Sequence, residues 1–137
     1  MSDSNGSFAL AKAVHAALSV DVILQSFLGQ TPRLYDQSPE DPIFPYLSYG
    51  GIKSENISGD MAPLYAHTMS LHIWSRYGGR AEVLQIIDAV CAVLNANNLV
   101  LNTASLVSTR IVFTDVFRAA DGHTLHGVIR LHAITQP

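Results

Sequence analysis

The feature that most constrains this chain is a change of hydrophobic period within one stretch, His67 to Leu94. In its first part Met69, Leu71 and Ile73 alternate with Thr68, Ser70 and His72, the period-two pattern of a strand buried on one face. Trp74 departs from that pattern by setting a large ring among the polar positions. After Gly78 and Gly79 the period lengthens. Val83, Ile87, Val90 and Leu94 recur at helical spacing with Leu84 and Cys91 beside them, so one helix face needs a core, and the strand just left behind supplies it. Gly79 is the expected N-cap, Glu82 sits against the positive helix end, and Asn95, Asn97 and Asn98 form a stop.

The segments on either side fit the same core. Residues 1–7 are Ser, Asn, Asp and Gly after the first Met, a frayed start, and order is expected near Phe8. From Phe8 to Leu18 an Ala-rich run places Leu10, Val14 and Leu18 on one helical face. Ser19 or Asp21 can cap a second helix, Val22 to Leu28, which Gly29 ends, and Pro32 forces an extended exit through Arg33, Leu34 and Tyr35. Asp36 to Pro45 holds three prolines and three acids besides Asp36's neighbours Gln37 and Ser38, which suits an ordered loop or a binding arm.

Tyr46 to Lys53 has strand character, with Gly50-Gly51 marking a bulge or a close backbone approach. Ser54 to Tyr65 is too long for a tight hairpin and carries Ile57, Met61 and Leu64 among polar neighbours, so it is expected to touch a partner. Leu99 to Asn102 is a short strand candidate. Val107 to Phe117 and Thr124 to Ile134 flank Asp121-Gly122 and should form an antiparallel hairpin, its second strand alternating Leu125, Ile129 and Leu131 with His126, Arg130 and His132. The sum is one α+β domain: an antiparallel sheet of about four strands with two or three helices on one face and the other face open.

Composition narrows the function classes. One cysteine, Cys91, on an apolar helical face leaves no disulfide framework, which points to an intracellular protein. No leader pattern opens the sequence and no apolar run approaches the ~20 residues that span a bilayer, so a soluble protein is expected. The eight Lys and Arg are scattered along a chain of net charge −3, without the cluster of a nucleic-acid binder. Charged residues make up 14%, low against the ~25% usual for soluble domains, which suggests that part of the surface is hidden in an assembly.

Catalytic motifs are missing. There is no GxSxG elbow, Walker loop or GxGxxG, and Cys91 suits a small core hydrophobe. Glu40 and Asp41 stand beside Pro42 in a solvated loop rather than as an acid/base pair. The sharpest enzymatic hint is that His72, His126 and His132 share the polar sheet face if their strands are neighbours, which would make a small metal-dependent enzyme. No metal or cofactor is expected. Trp74, near Arg76 and Tyr77, is either packed at the sheet edge or a subunit contact.

The order of segments resembles the tail terminator, or tail completion, proteins of long-tailed bacteriophages and of phage-derived gene transfer agents. The resemblance lies in the helix with Leu10, Val14 and Leu18, the Leu28-Gly29 stop, Pro32 through Asp36, Pro45-Tyr46, His72 through Ser75, the Gly-Gly turn into an apolar helix, and Asp121 through Arg130. It covers about Leu10 to Thr135. It implies a structural protein without catalytic residues, placed at the tail-neck junction of a virion or phage-like particle and assembled in the bacterial cytoplasm. Such a protein forms a ring, a hexamer, that caps the tail tube protein and offers a surface to the head-completion or stopper protein of the neck. DNA would pass through as cargo, and six subunits at −3 each would discourage it from sticking. A neighbouring neck component, a head-closure or adaptor protein, would share this composition. The interface residues chosen on chemistry are Asn56, Ile57, Met61 and Leu64 in the long loop, and Trp74, Arg76, Phe117 and Arg118 at strand ends.

Overall fold

The computed structural model describes residues 5–60, 62–95 and 99–137. In chain order the elements are α1 (Ser7–Ser19), α2 (Val22–Leu28), β1 (Leu34–Tyr35), β2 (Tyr46–Asn56), β3 (Tyr65–Ser75), α3 (Ala81–Asn95), β4 (Ser105–Arg118) and β5 (Leu125–Gln136). They form a sheet in the order β1-β2-β3-β5-β4 with the helices on one face. The expected α+β class holds, but the sheet has five strands and is mixed. Its extra strand is the exit that Pro32 forces: Leu34 and Tyr35 run parallel to Leu47 and Ser48, and the Leu47 amide donates to the Arg33 carbonyl at 2.9 Å. Two residues show no period, so the sequence pattern could not reveal them.

The two strongest periodic signals meet face to face. Met69, Leu71 and Ile73 of β3 and Ile129 and Leu131 of β5 are buried beneath Val83, Ile86, Ile87, Val90 and Leu94 of α3. Leu10, Val14 and Leu18 of α1 and Leu24 and Leu28 of α2 close the same core, each apolar side chain worth ~1.5–3 kcal/mol relative to exposure. Gly127 sets how closely α3 can approach. A Cβ there would lie 2.8 Å from Val83 Cγ2 and 3.1 Å from Ile87 Cδ1, so the helix rests on bare backbone. Among the described residues, no single helix is long and apolar enough to cross a membrane.

Several boundaries differ from the sequence expectation. The first helix starts at Ser7, whose amide donates to Asn5 Oδ1, and Gly6 tucks against Thr135 of β5. Asp21, not Ser19, caps α2, accepting from the Leu24 amide at 3.0 Å. The cap position of α3 falls to Arg80, whose carbonyl accepts from the Leu84 amide, rather than to Gly79. Asn95 is the last helical residue, and Asn97 and Asn98 lie outside the described residues. Leu99 to Asn102 forms no strand: Leu99 is buried as a plug on the core while the backbone stays irregular. The Asp121-Gly122 hairpin forms between β4 and β5 as expected.

Candidate assembly interface

The face of the sheet opposite the helices is ordered in rows across the strands. Because partners directly opposite one another share a face, the register assembles residues that are distant in sequence. Tyr46 pairs with Trp74, Trp74 with His126, and His126 with Phe117. Trp74 and His126 stack with ring centroids 3.9 Å apart, Tyr46 lies 6.2 Å beyond Trp74, and Phe117 lies 4.7 Å from His126. Phe44 and Tyr35 extend the row past Tyr46 at 5.2 and 5.9 Å. The Trp74 indole N–H donates to Ser48 Oγ at 3.0 Å, so the ring that broke the alternation is held on the open face by its own subunit.

His72 joins this row from the neighbouring one. Its Nδ1 lies 2.7 Å from His126 Nε2, and Gly50 makes the room: a Cβ there would meet His72 Nε2 at 2.6 Å. Gly50-Gly51 is therefore both the bulge and the close approach, since the β2–β3 register shifts between Tyr49 and Ile52. Burial lowers the His72 pKa below its ordinary 6.5. His126 is lowered by burial and then by His72, with Asp115 opposing. His132 does not join them. It stands six residues further along β5, ~20 Å away at ~3.3 Å per residue, facing Thr68 and Arg110, so the three-histidine convergence required by the enzyme reading does not form.

The structure splits the chosen interface residues between opposite ends of the sheet. Trp74, Arg76, Phe117 and Arg118 gather where β3 ends and the β4–β5 hairpin turns. Arg76 ties that end together: its Nε donates to Thr124 Oγ1 at 3.0 Å, its terminal nitrogen meets Asp121 at 3.5 Å, and its guanidinium lies 4.1 Å from the Phe44 ring. Arg118 donates to the Gly122 carbonyl at 3.2 Å. The Asp121 carboxylate is held well below the usual range, first by the Thr124 hydroxyl and amide and then by the His123 amide.

Asn56, Ile57 and Leu64 lie at the other end, in the turn from β2 to β3. The strands run further than expected, leaving residues 57–64 as the loop, which the Ile57 amide closes on the Leu64 carbonyl at 2.9 Å. Asn56 Oδ1 accepts from the Ser58 amide, and Ile57 is exposed. Met61 lies outside the described residues.

Sequence reasoning missed Tyr46 and Phe44; it placed His72 and His126 on one polar face, and the structure adds that the two rings touch. For Tyr46 and Phe44 a signal was present only in hindsight of register, since each looks like an isolated aromatic position in its own segment. On the helix side, Phe8, Lys12, His15, Asp36, Tyr49 and Met69 line a cleft of ≈ 420 Å³. There the Tyr49 hydroxyl meets His15 Nδ1 at 2.9 Å, and burial, with Asp36 adding, pushes the phenol far up. Cys91 is half-buried and its thiol is pushed up by burial and by Asp88, which keeps it a weak nucleophile.

Comparison with known proteins gives a consistent answer. A comparison with curated proteins returned no match. Among solved structures, the fold matches a chain in the virion of a native gene transfer agent particle, with TM-score 0.87 and 22% identity over 99% of this chain and 100% of that one. It also matches the gp17 protein of bacteriophage SPP1, with TM-score 0.65 and 23% identity over 93% of this chain and 89% of that one. At such identities these matches establish the fold. The family model of the tail completion protein gp17 aligns with residues 12–136, nearly the whole chain, and this protein therefore belongs to the tail completion protein gp17 family.

Proposed function

We propose that this chain is a structural virion protein whose copies form a hexameric ring, ending polymerisation of the tail tube and joining the tail to the neck. Family membership is the observation that carries this reading. The match to a chain of a gene transfer agent virion supports a place in such a particle. Its contribution is assembly rather than catalysis, with the tail tube protein on one side, the head-completion or stopper protein on the other, and DNA as passing cargo. The two ends of the sheet suit such a role: Asn56, Ile57 and Leu64 at one, and Trp74, Arg76, Phe117 and Arg118 at the other, ~33 Å apart along an 11-residue strand.

The test is cryo-microscopy of particles that carry this protein. One ring of its density between tube and neck is the expected result, together with negative-stain images in which purified protein caps tail tubes. A chain that stays monomeric with tubes present and contributes no ring to particles would overturn the proposal.

A further inference from the structure

The two edges of the sheet differ in their unpaired charges: acids on the arm beside β1, and at the far side Arg110 of β4 with Arg130 of the adjoining β5, next to a single acid, Asp115. At the β1 edge the chain leaves through the arm of residues 36–45, which presents Glu40, Asp41 and, at 67% exposure, Ile43. The base of the arm is fixed, because Arg33 Nε donates to the Pro45 carbonyl at 2.9 Å and Arg76 lies over Phe44. At the far edge, β4 is 14 residues long and mostly exposed. Its register sets Arg110 beside His132 and Phe113 beside Arg130, whose guanidinium lies 5.0 Å from the Phe113 ring. The lysines and arginines that are scattered in sequence are thus partly gathered by the fold. Among the described residues the ion pairs are Lys53–Glu55 and Arg76–Asp121, so Glu40 and Asp41 find no cation and Arg110 and Arg130 no acid within their own subunit.

A long edge strand with exposed apolar side chains is one that proteins normally cover, and Val112 and Phe113 are each 43% exposed here. Two-fold pairing of the arm with itself would bring its acids together. Head-to-tail contact brings unlike charges together and generates a ring when the rotation closes. We infer that a second copy of this chain covers the β4 edge, with the acidic arm of one subunit, through Glu40, Asp41 and Ile43, seated against Arg110, Arg130 and Phe113 of the next. This assignment rests on the ring reading above and names the surfaces that meet.

Charge exchange tests it. Glu40→Arg with Asp41→Arg, and separately Arg110→Glu with Arg130→Glu, should each weaken self-association on the order of tenfold or more in sedimentation, and combining all four substitutions should restore rings. Circular dichroism checks that each variant folds, and recovery in the fourfold variant shows that lost assembly reflects charge rather than misfolding. Rings that survive both double substitutions overturn the edge assignment while leaving the ring itself standing. Wild-type protein that never assembles, alone or on tail tubes, overturns both. Intact rings in the Arg110→Glu, Arg130→Glu protein with weakened binding of duplex DNA would give the basic edge to phosphate and overturn the pairing of subunits.

Discussion

His126 stacks on Trp74 at 3.9 Å between ring centroids while its Nε2 lies 2.7 Å from His72 Nδ1, so one imidazole joins the aromatic row to a second histidine. A hydrogen bond between two imidazoles needs one donor and one acceptor, which a pair of doubly protonated rings cannot provide.

This pair should make stability depend on pH. Both groups are lowered below 6.5 in the folded protein, so the unfolded chain binds more protons as the solution is acidified. Their contribution is fully present above pH 6.5 and is lost as pH falls through 6.5 toward the depressed folded values. The melting temperature should therefore drop between pH 7.5 and 5, well before the carboxylates titrate. Replacing both histidines with Gln should flatten that slope, and a slope unchanged in the double variant would refute the assignment.

Thr135 holds the N-terminal segment to the sheet. Its hydroxyl donates to the Asn5 carbonyl at 2.8 Å and therefore can only accept from buried His67 Nε2, also at 2.8 Å, which puts a proton on that nitrogen. Ser54 Oγ lies 2.7 Å from Nδ1 on the other side of the ring. Thr135→Val keeps the volume and removes the hydroxyl, and should cost ~1–3 kcal/mol in chemical denaturation. Thr135→Ser should be much milder. Equal stability of the Val variant and the wild type would show that these bonds do not hold the terminus.

Gly127 and Gly51 should respond oppositely to added carbon. Gly127→Val drives new atoms into Val83 and Ile87 and is expected to destabilise by ~1–3 kcal/mol. At Gly51 a Cβ meets nothing within 4 Å, so Gly51→Ala should be neutral or stabilise by ~0.4–1 kcal/mol by restricting the unfolded chain. Urea titration of the two proteins decides the matter, and a tolerated Val at 127 would mean that α3 is free to lift.

The loop between β2 and β3 is proposed to contact the next ring or tube. Ile57→Asp combined with Met61→Asp should leave the melting temperature within a few degrees of wild type, since Ile57 is exposed, yet block tail completion. Particles with tails of normal length and attached heads from this variant would remove the loop from the interface.

Local elements were legible because their signals are local. The alternation of Met69, Leu71 and Ile73, the helical spacing of Val83 to Leu94, the bulge at Gly50-Gly51 and the turn at Asp121-Gly122 each report how a short segment buries its own apolar face. Where packing replaced pattern, sequence failed. Leu34-Tyr35 became a strand because β2 lies beside it, and Leu99 became a buried plug without one.

The sequence by itself determined which face of each strand and helix would be apolar, and its nearly full-length family match determined the family. Only the tertiary structure decided which polar residues share a site. His72 and His126 are 54 positions apart and meet through strand register, and Arg130 of β5 is set beside the edge strand that carries Arg110, while Glu40 and Asp41 lie in the arm at the other edge. Periodicity fixes a side chain's direction relative to its own backbone; cross-strand hydrogen bonding fixes what stands opposite, and that information is absent from any single segment.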